Sequence, residues 1–397
     1  MRDVFVSGVY TSTFGIHESQ THAMLAAGAA LGALNDAGLT TDDIDYVAYS
    51  NVFAGWTTGQ ESLRGEMWAR TAGLQGLPTI NVENACASGS TAFHAAWMAI
   101  GSGLYDAAVV IGVEKMNVED RSQIFRCMES GIDLEIRDAL RREIGADTPD
   151  SPKSLMLAMY ASGARRLMEQ SDVTPEVLAE VVVKNRRHAS LNPIAQFRAP
   201  TTVEEVLSSR LVADPLTLLM CCPFTDGASA LVLTSEKHAS KSGYRATRVL
   251  GCSIRSGEAG SNISAIQRSS SDVLERNSIG PWDLSLIELH DATAFSEIAG
   301  YEQLGLSEVG KAAQLVSNGD TSLGGAIPVN VSGGAVAKGH PVGATGCAQI
   351  AEIVSQLRGS VSKDRLIKGA HKGLAVNSGG YLYPDDAAVA VSTLIGV

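Results

Sequence analysis

Short apolar runs alternate with longer amphipathic stretches along this chain, and the alternation predicts strands and helices in turn. Asp3–Tyr10 reads as a strand and His22–Ala37, rich in alanine, as a helix. Ile44–Ser50 reads as a strand, Gln60–Ala72 as a helix and Thr79–Glu83 as a strand. Ser88–Gly101 is a helix of small residues, and Ala107–Val113, apolar without a break except Gly112, is a buried strand. Phe224–Thr234 returns to strand character. This order specifies the α/β class.

The pattern also repeats. The sequence of helix, turn, acidic residue and strand at residues 33–50 returns at 273–290, shifted by 240 positions, so that Asp43 matches Asp283 and Ser50 matches His290. A second match pairs Gly89 and the residues after it with Gly346 and those that follow, each a small-residue helix behind a strand and a loop. Two such matches predict a duplicated α/β unit. We divide the chain into an N-terminal half, 1–243, and a C-terminal half, 244–397. The stretch from Glu114 to about Ala213 is richer in charge and includes a predicted helix near Pro175–Asn185, so it reads as an insertion capping the site.

Composition narrows the function. A chain of 397 residues exceeds one ordinary core. Its net charge of −12 argues against nucleic acid or an anionic membrane as the main partner. The basic cluster Lys184, Arg186 and Arg187 reads as a solvated helix face rather than an anion site. Six cysteines are scattered without a C-x-x-C or metal-ligand spacing, which suits a reducing compartment and no bound metal. No signal-peptide pattern and no long apolar span are read, so the expectation is a cytoplasmic protein without a membrane span.

Three residues carry the candidate chemistry. Cys86, in Asn84-Ala85-Cys86-Ala87-Ser88-Gly89, stands where a strand gives way to a helix. A helix N-terminus favours thiolate, and small flanking residues admit a substrate to the sulfur. A buried packing cysteine is the ordinary alternative. His340 lies in Gly339-His340-Pro341-Val342-Gly343-Ala344-Thr345-Gly346, where glycines permit close backbone approach and a neutral imidazole could deprotonate a thiol. His290 follows a predicted strand, the end at which α/β folds meet ligands. Asp291 beside it reads chiefly as a helix cap. The other five cysteines read as packing residues. Ser332 and Ser378 find no G-x-S-x-G elbow, and no G-x-G-x-x-G follows a strand, which disfavours serine-hydrolase and nicotinamide chemistry.

At these residues the chain resembles the thiolase superfamily, in its sterol-carrier-protein-X or lipid-transfer branch. Val109–Met116, Cys222–Ala230 and Val329–Gly334 carry the resemblance together with the Cys86 and Gly-His-Pro segments. It implies a duplicated five-layer αβαβα fold with an inserted loop domain, a homodimer, and acyl transfer between coenzyme A and a carbon acceptor. Cys86 matches the acyl-accepting nucleophile, His340 its activating base, and His290 the histidine of a His-Asp-Cys-Phe motif that reads His-Asp-Ala-Thr here. The peptide N–H groups of Cys86 and Gly379 match an oxyanion hole, with Asn377 and Ser332 as further substrate-side positions. Asn377 replaces the second cysteine of a Cys-x-Gly motif, and an amide is no base near neutral pH. The resemblance further implies no tightly bound cofactor, a coenzyme A thioester as substrate, and a possible small OB-fold/zinc-ribbon partner protein. Retro-aldol cleavage of a side-chain acyl-CoA and a non-catalytic lipid-binding or scaffolding role are the competing expectations.

Overall fold

The computed structural model describes residues 1–148, 154–239, 247–384 and 386–397. The expected boundary between halves, 243/244, falls outside them. The chain opens β1 (Val4–Thr11), α1 (His22–Ala37), β2 (Tyr46–Ser50), α2 (Ala54–Thr58), α3 (Arg64–Ala69), β3 (Thr79–Val82), α4 (Ser88–Gly101) and β4 (Ala107–Glu114). Helices α5 (Arg121–Glu129), α6 (Arg137–Glu143), α7 (Leu155–Gln170), α8 (Pro175–Ser190) and α9 (Val203–Ser208) follow, with the hairpin β5 (Leu211–Ala213) and β6 (Leu216–Thr217). Then come β7 (Gly227–Ser235), α10 (Glu236–Ala239), β8 (Thr247–Ser256), α11 (Ala265–Arg276), β9 (Leu286–Leu289), α12 (Ala294–Gln303) and α13 (Ala312–Ser317). The last elements are α14 (Thr345–Arg358), β10 (Lys372–Tyr383) and β11 (Asp386–Gly396).

The main sheet runs β3-β2-β4-β7-β1-β8-β11-β10-β9. In its first part β3, β2 and β4 are parallel, while β7 is antiparallel to both β4 and β1. The second part repeats the scheme, with β9 parallel to β10, and β11 antiparallel to both β10 and β8. An isolated parallel bridge, Ile287 to Val329, stands where β3 stands in the first part. The two parts meet where β1 pairs with β8 through Phe5–Arg248 and Val6–Thr247. The repeat at 240 positions is therefore physical. The 3-10 turn Thr41–Asp43 before β2 recurs as Pro281–Asp283 before β9.

Local rules explain the elements. Thr21 caps α1 by accepting from the Met24 N–H, and Gly38 ends it in the left-handed region at φ 66°. The predicted helix 60–72 is shorter, α3 followed by a 3-10 turn at Arg70–Ala72. The predicted strand 224–234 begins at Gly227, because the Asp226 carboxylate instead accepts from the His17, Met116 and Asn117 N–H groups.

Helices α4 and α14 form the central layer, and α14 is buried along nearly its whole length. They touch at their first turns through Gly89 and Gly346: a Cβ on Gly346 would lie 2.5 Å from the Ser90 nitrogen, and one on Gly89 3.0 Å from the Cys347 nitrogen. Only glycine lets the two helix starts approach this closely. The central core includes Phe93, Ile100, Ile350 and Ile353. Two outer cores lie on the far faces of the sheet, one under α1 and one joining α8, α12 and α13 to the second half. The result is the layered α/β architecture that the resemblance implied. Among the described residues no helix is long and apolar enough to cross a membrane.

Candidate active site

Because α4 and α14 meet at their N-termini, the loops leading into them converge. The first loop carries Cys86. Ala85 before it holds a left-handed backbone at φ 48°, a strained state for a residue with a side chain. Ser88 holds that turn: its Oγ accepts from the Asn84 N–H at 2.8 Å and donates to the Ala85 carbonyl at 2.6 Å. Strand β10 passes directly against this elbow. A Cβ on Gly379 would lie 2.2 Å from the Asn84 carbonyl oxygen and 3.1 Å from the Cys86 nitrogen, so the position excludes any side chain.

The second loop carries His340, whose Nε2 is 3.2 Å from the Cys86 Sγ. Its Nδ1 is 2.7 Å from Thr345 Oγ1, and that hydroxyl donates to the Pro341 carbonyl at 3.1 Å. With its own proton committed, Thr345 accepts from Nδ1–H, which leaves an Nε2 lone pair facing the thiol. Thr225 Oγ1 accepts from the His340 peptide N–H at 2.9 Å. His290 completes the group. Its Nε2 is 3.5 Å from His340 Nε2, and its Nδ1 is 3.1 Å from Ser378 Oγ.

Burial sets the resting protonation. Cys86 is reachable from a cavity yet enclosed by protein, and desolvation, aided by Glu83, pushes its thiol up to about 12. Burial lowers His290 to about 4 and His340 well below its ordinary value. The expectation of a resting thiolate is thus corrected: loss of water outweighs the helix N-terminus, and the pair is thiol and neutral imidazole. Cys86, His290 and His340 are also the group of metal-type donors found among the described residues, within 4.8 Å of one another. The contact between Sγ and Nε2 already uses the lone pair a metal would take.

The other expected residues lie elsewhere. Asn377 is wholly buried, but its Nδ2 donates to Gln349 Oε1 of α14 at 2.8 Å and its side chain is not part of the cavity wall. Ser332 donates to the Glu288 carboxylate at 2.5 Å, also away from the cavity. Asn377 alternates along β10 with Ser378, whose hydroxyl meets His290, so its side chain is turned to α14, while Ser332 sits in a turn held by Glu288. Asp291 does not cap α12; its carboxylate accepts from the Ala335 N–H at 2.6 Å, in the first turn of the helical segment Gly334–Lys338, and from Asn185 at 3.1 Å, tying the His290 loop to the glycine-rich loop. Lys184 is not a solvated cation either. It is buried and paired with Glu297, while Arg186 covers the Phe197 ring at 4.4 Å. Charge runs are read as surface by pattern, and that holds for Arg187, which is exposed; the packing of α8 against α12 buries Lys184.

Sequence reasoning passed over Thr345 and Glu114. Thr345 was visible as a hydroxyl five residues after His340 in the same run. Glu114 accepts from Asn51 Nδ2 and from the peptide N–H groups of Val52, Phe53 and Gly343, which ties the end of β4 to the His340 loop. Above the triad opens a cavity of about 1300 Å³ whose wall includes Cys86, His340, Gly379, Tyr160, Tyr381 and Phe224.

A duplicated α/β chain with a thiol–imidazole pair at the junction of its repeats is the class that fold and site define. The family model described as "Thiolase, N-terminal domain" matches residues 5–237, and "Thiolase C-terminal domain-like" matches 253–391. The chain belongs to the thiolase family. It is 37% identical over 388 residues to an acetyl-CoA acetyltransferase of Methanothermobacter thermautotrophicus, covering 96% of this chain and 97% of that protein. It is 36% identical over 368 residues to the benzoylsuccinyl-CoA thiolase subunit BbsB of Thauera aromatica, covering 90% and 89%. Human sterol carrier protein 2 is 34% identical over 395 residues, 96% of this chain and 70% of that protein. Among solved structures, the Ltp2–ChsH2(DUF35) aldolase superposes with a TM-score of 0.80 at 22% identity, over 100% of this chain and 98% of that one. Human mitochondrial 3-ketoacyl-CoA thiolase superposes at 0.73 with 18% identity, over 100% and 99%.

Proposed function

We propose that the protein is an acyl-CoA C-acyltransferase of thiolase type that carries the acyl group on Cys86. The observation that carries this reading is the 3.2 Å contact between Cys86 Sγ and a His340 Nε2 whose tautomer Thr345 selects. Sγ attacks the thioester carbonyl while its proton moves to Nε2, and that proton then leaves with the coenzyme A thiolate. The N–H groups of Cys86 and Gly379 are the donors for the developing oxyanion. In the second half-reaction a carbon acceptor loses its α-proton to a base, its carbon attacks the acyl group, and the Cys86 sulfur departs and is reprotonated. With Asn377 turned to Gln349, we assign that proton to the imidazole pair: His340 faces the cavity, and His290 stands behind it with the two Nε2 atoms 3.5 Å apart. Ser378 can accept from or donate to the His290 Nδ1, so either tautomer is supported.

Coenzyme A enters as substrate rather than resident cofactor, over the exposed rim that includes Arg121 and Arg210. A homodimer in the cytoplasm belongs to this reading, as does a small OB-fold/zinc-ribbon partner. The Thauera relative is a thiolase subunit, and the aldolase neighbour pairs Ltp2 with ChsH2(DUF35), which supports the partner.

Intact mass spectrometry after incubation with acetyl-CoA, followed by peptide mapping, tests the proposal. An acetyl adduct on Cys86, absent in Cys86→Ala, supports it. No adduct from acetyl-CoA or longer thioesters sinks it. Cleavage of a 3-hydroxyacyl-CoA without an adduct would shift the assignment to retro-aldol chemistry.

A further inference from the structure

The walls of the cavity say more about the acyl group than the triad does. Tyr160 of α7 and Tyr381 of β10 meet edge to face with ring centroids 5.3 Å apart and planes at 77°, and their hydroxyls are in hydrogen-bond reach of each other. Phe125 of α5 and Phe224, just before β7, repeat the arrangement at 5.4 Å and 66°. All four rings line the same cavity as Cys86. Tyr381 is two residues along β10 from Gly379, which packs against the Cys86 elbow. Its peptide N–H donates to the Gly131 carbonyl at 2.9 Å, which fixes where β10 meets the α5–α7 segment.

Three features of this wall bear on the ligand. Its rings are half-buried or, for Phe125, exposed, so a bound group would cover them. Each pair is set edge to face at a centroid distance within the roughly 4.5–7 Å range of aromatic contacts, so the wall offers ring edges and faces that a further ring can meet in the same way. The cavity, at about 1300 Å³, exceeds the roughly 300–1,000 Å³ of ordinary small-molecule sites, more than a pantetheine arm with a two-carbon acyl group needs. The acidic side chains in its lining, Glu61, Glu83 and Asp133, are exposed at the rim.

We infer that the acyl subsite is shaped for a ring-bearing acyl group, with Tyr160, Tyr381 and Phe224 as its specificity-determining side chains. This rests on Cys86 being the acyl acceptor. The test compares three thioesters of similar carbonyl reactivity: propionyl-CoA, 3-phenylpropionyl-CoA and nonanoyl-CoA, the last two with the same carbon count. Quenched-flow mass spectrometry follows the Cys86 adduct in the full chain. At subsaturating thioester, 3-phenylpropionyl-CoA should acylate at least about tenfold faster than either of the others, the scale on which apolar pockets discriminate. Tyr160→Leu should cut the 3-phenylpropionyl to propionyl ratio by at least about fivefold. Phe224→Leu gives the same readout if Tyr160→Leu fails to fold. Nonanoyl-CoA matching the phenyl thioester, or a ratio unmoved in both variants, overturns the ring-bearing subsite while Cys86 acylation stands. No adduct from any of the three overturns the acyl-transfer reading, and the subsite with it.

Discussion

Thr345 sets the chemistry of His340: its Oγ1 lies 2.7 Å from Nδ1 and donates its own proton to the Pro341 carbonyl. The basic nitrogen is thereby aimed at Cys86 by a residue that touches no substrate.

Thr345→Val keeps the shape and removes that acceptor. Cys86 acylation should slow by about 10- to 100-fold, short of the full 10²–10⁴-fold of general-base catalysis because some imidazole keeps the useful tautomer. The adduct time course measures it. Thr345→Ser should restore most of the rate, and an undiminished rate in Thr345→Val would remove the tautomer argument.

The resting thiol makes a pH prediction. A Cys86 raised to about 12 is almost entirely protonated near neutrality, and its thiolate fraction grows about tenfold per pH unit below that value. Iodoacetamide labelling of Cys86, read by peptide mapping, should therefore rise about tenfold per unit from pH 7 to 10. Acylation by a bound thioester should instead be flat from about pH 6 to 9, since the proton passes from Sγ to a His340 held neutral well above its lowered value. Fast alkylation at pH 7 would show a preformed thiolate and contradict the neutral pair.

Glu114→Gln tests the tie between the halves. The carboxylate accepts four hydrogen bonds, and the amide would turn a donor toward one of those N–H groups. The expected cost is about 3 kcal/mol in urea unfolding at a pH above the value of about 7 to which burial raises this carboxyl, the range for a buried charged group losing its partners. A change below about 0.5 kcal/mol, the ordinary surface value, would mean that the loop holds without Glu114.

Gly379→Ala places a Cβ 2.2 Å from the Asn84 carbonyl. The Cys86 elbow must shift, and displacement on the order of 1 Å costs about a hundredfold in rate. Adduct formation should fall by that much while circular dichroism keeps the α/β spectrum. Wild-type acylation in this variant would show that β10 does not define the elbow.

Much of this was legible in the chain. Period and turn residues locate β1, α1, β2 and α4, and the 240-residue offset foresees the matching turns before β2 and β9. Cys86, His290 and His340 stand out because their contexts are locally unusual, and the fold brings all three together. What pattern does not encode is depth. The helix start at α4 argues for thiolate, but the degree of enclosure decides, and it comes from β10 and the His340 loop more than 250 residues on. Lys184 looks like surface until α12 covers it. Asn377 looks like a site residue until the strand's alternation is resolved. Tyr160 and Tyr381 are ordinary in sequence and acquire meaning only across the cavity.

The Gly89–Gly346 contact has a wider consequence. Cys86 and His340 lie in corresponding loops of the two repeats, each just ahead of its central helix. A single unit pairing with its own copy would bring two identical loops to this axis, two sulfurs or two imidazoles, and neither pair can pass a proton from nucleophile to base. In this single chain the two loops differ in chemistry while the close helix contact holds them in register. The division of labour at the site is a break in symmetry that the backbone still retains.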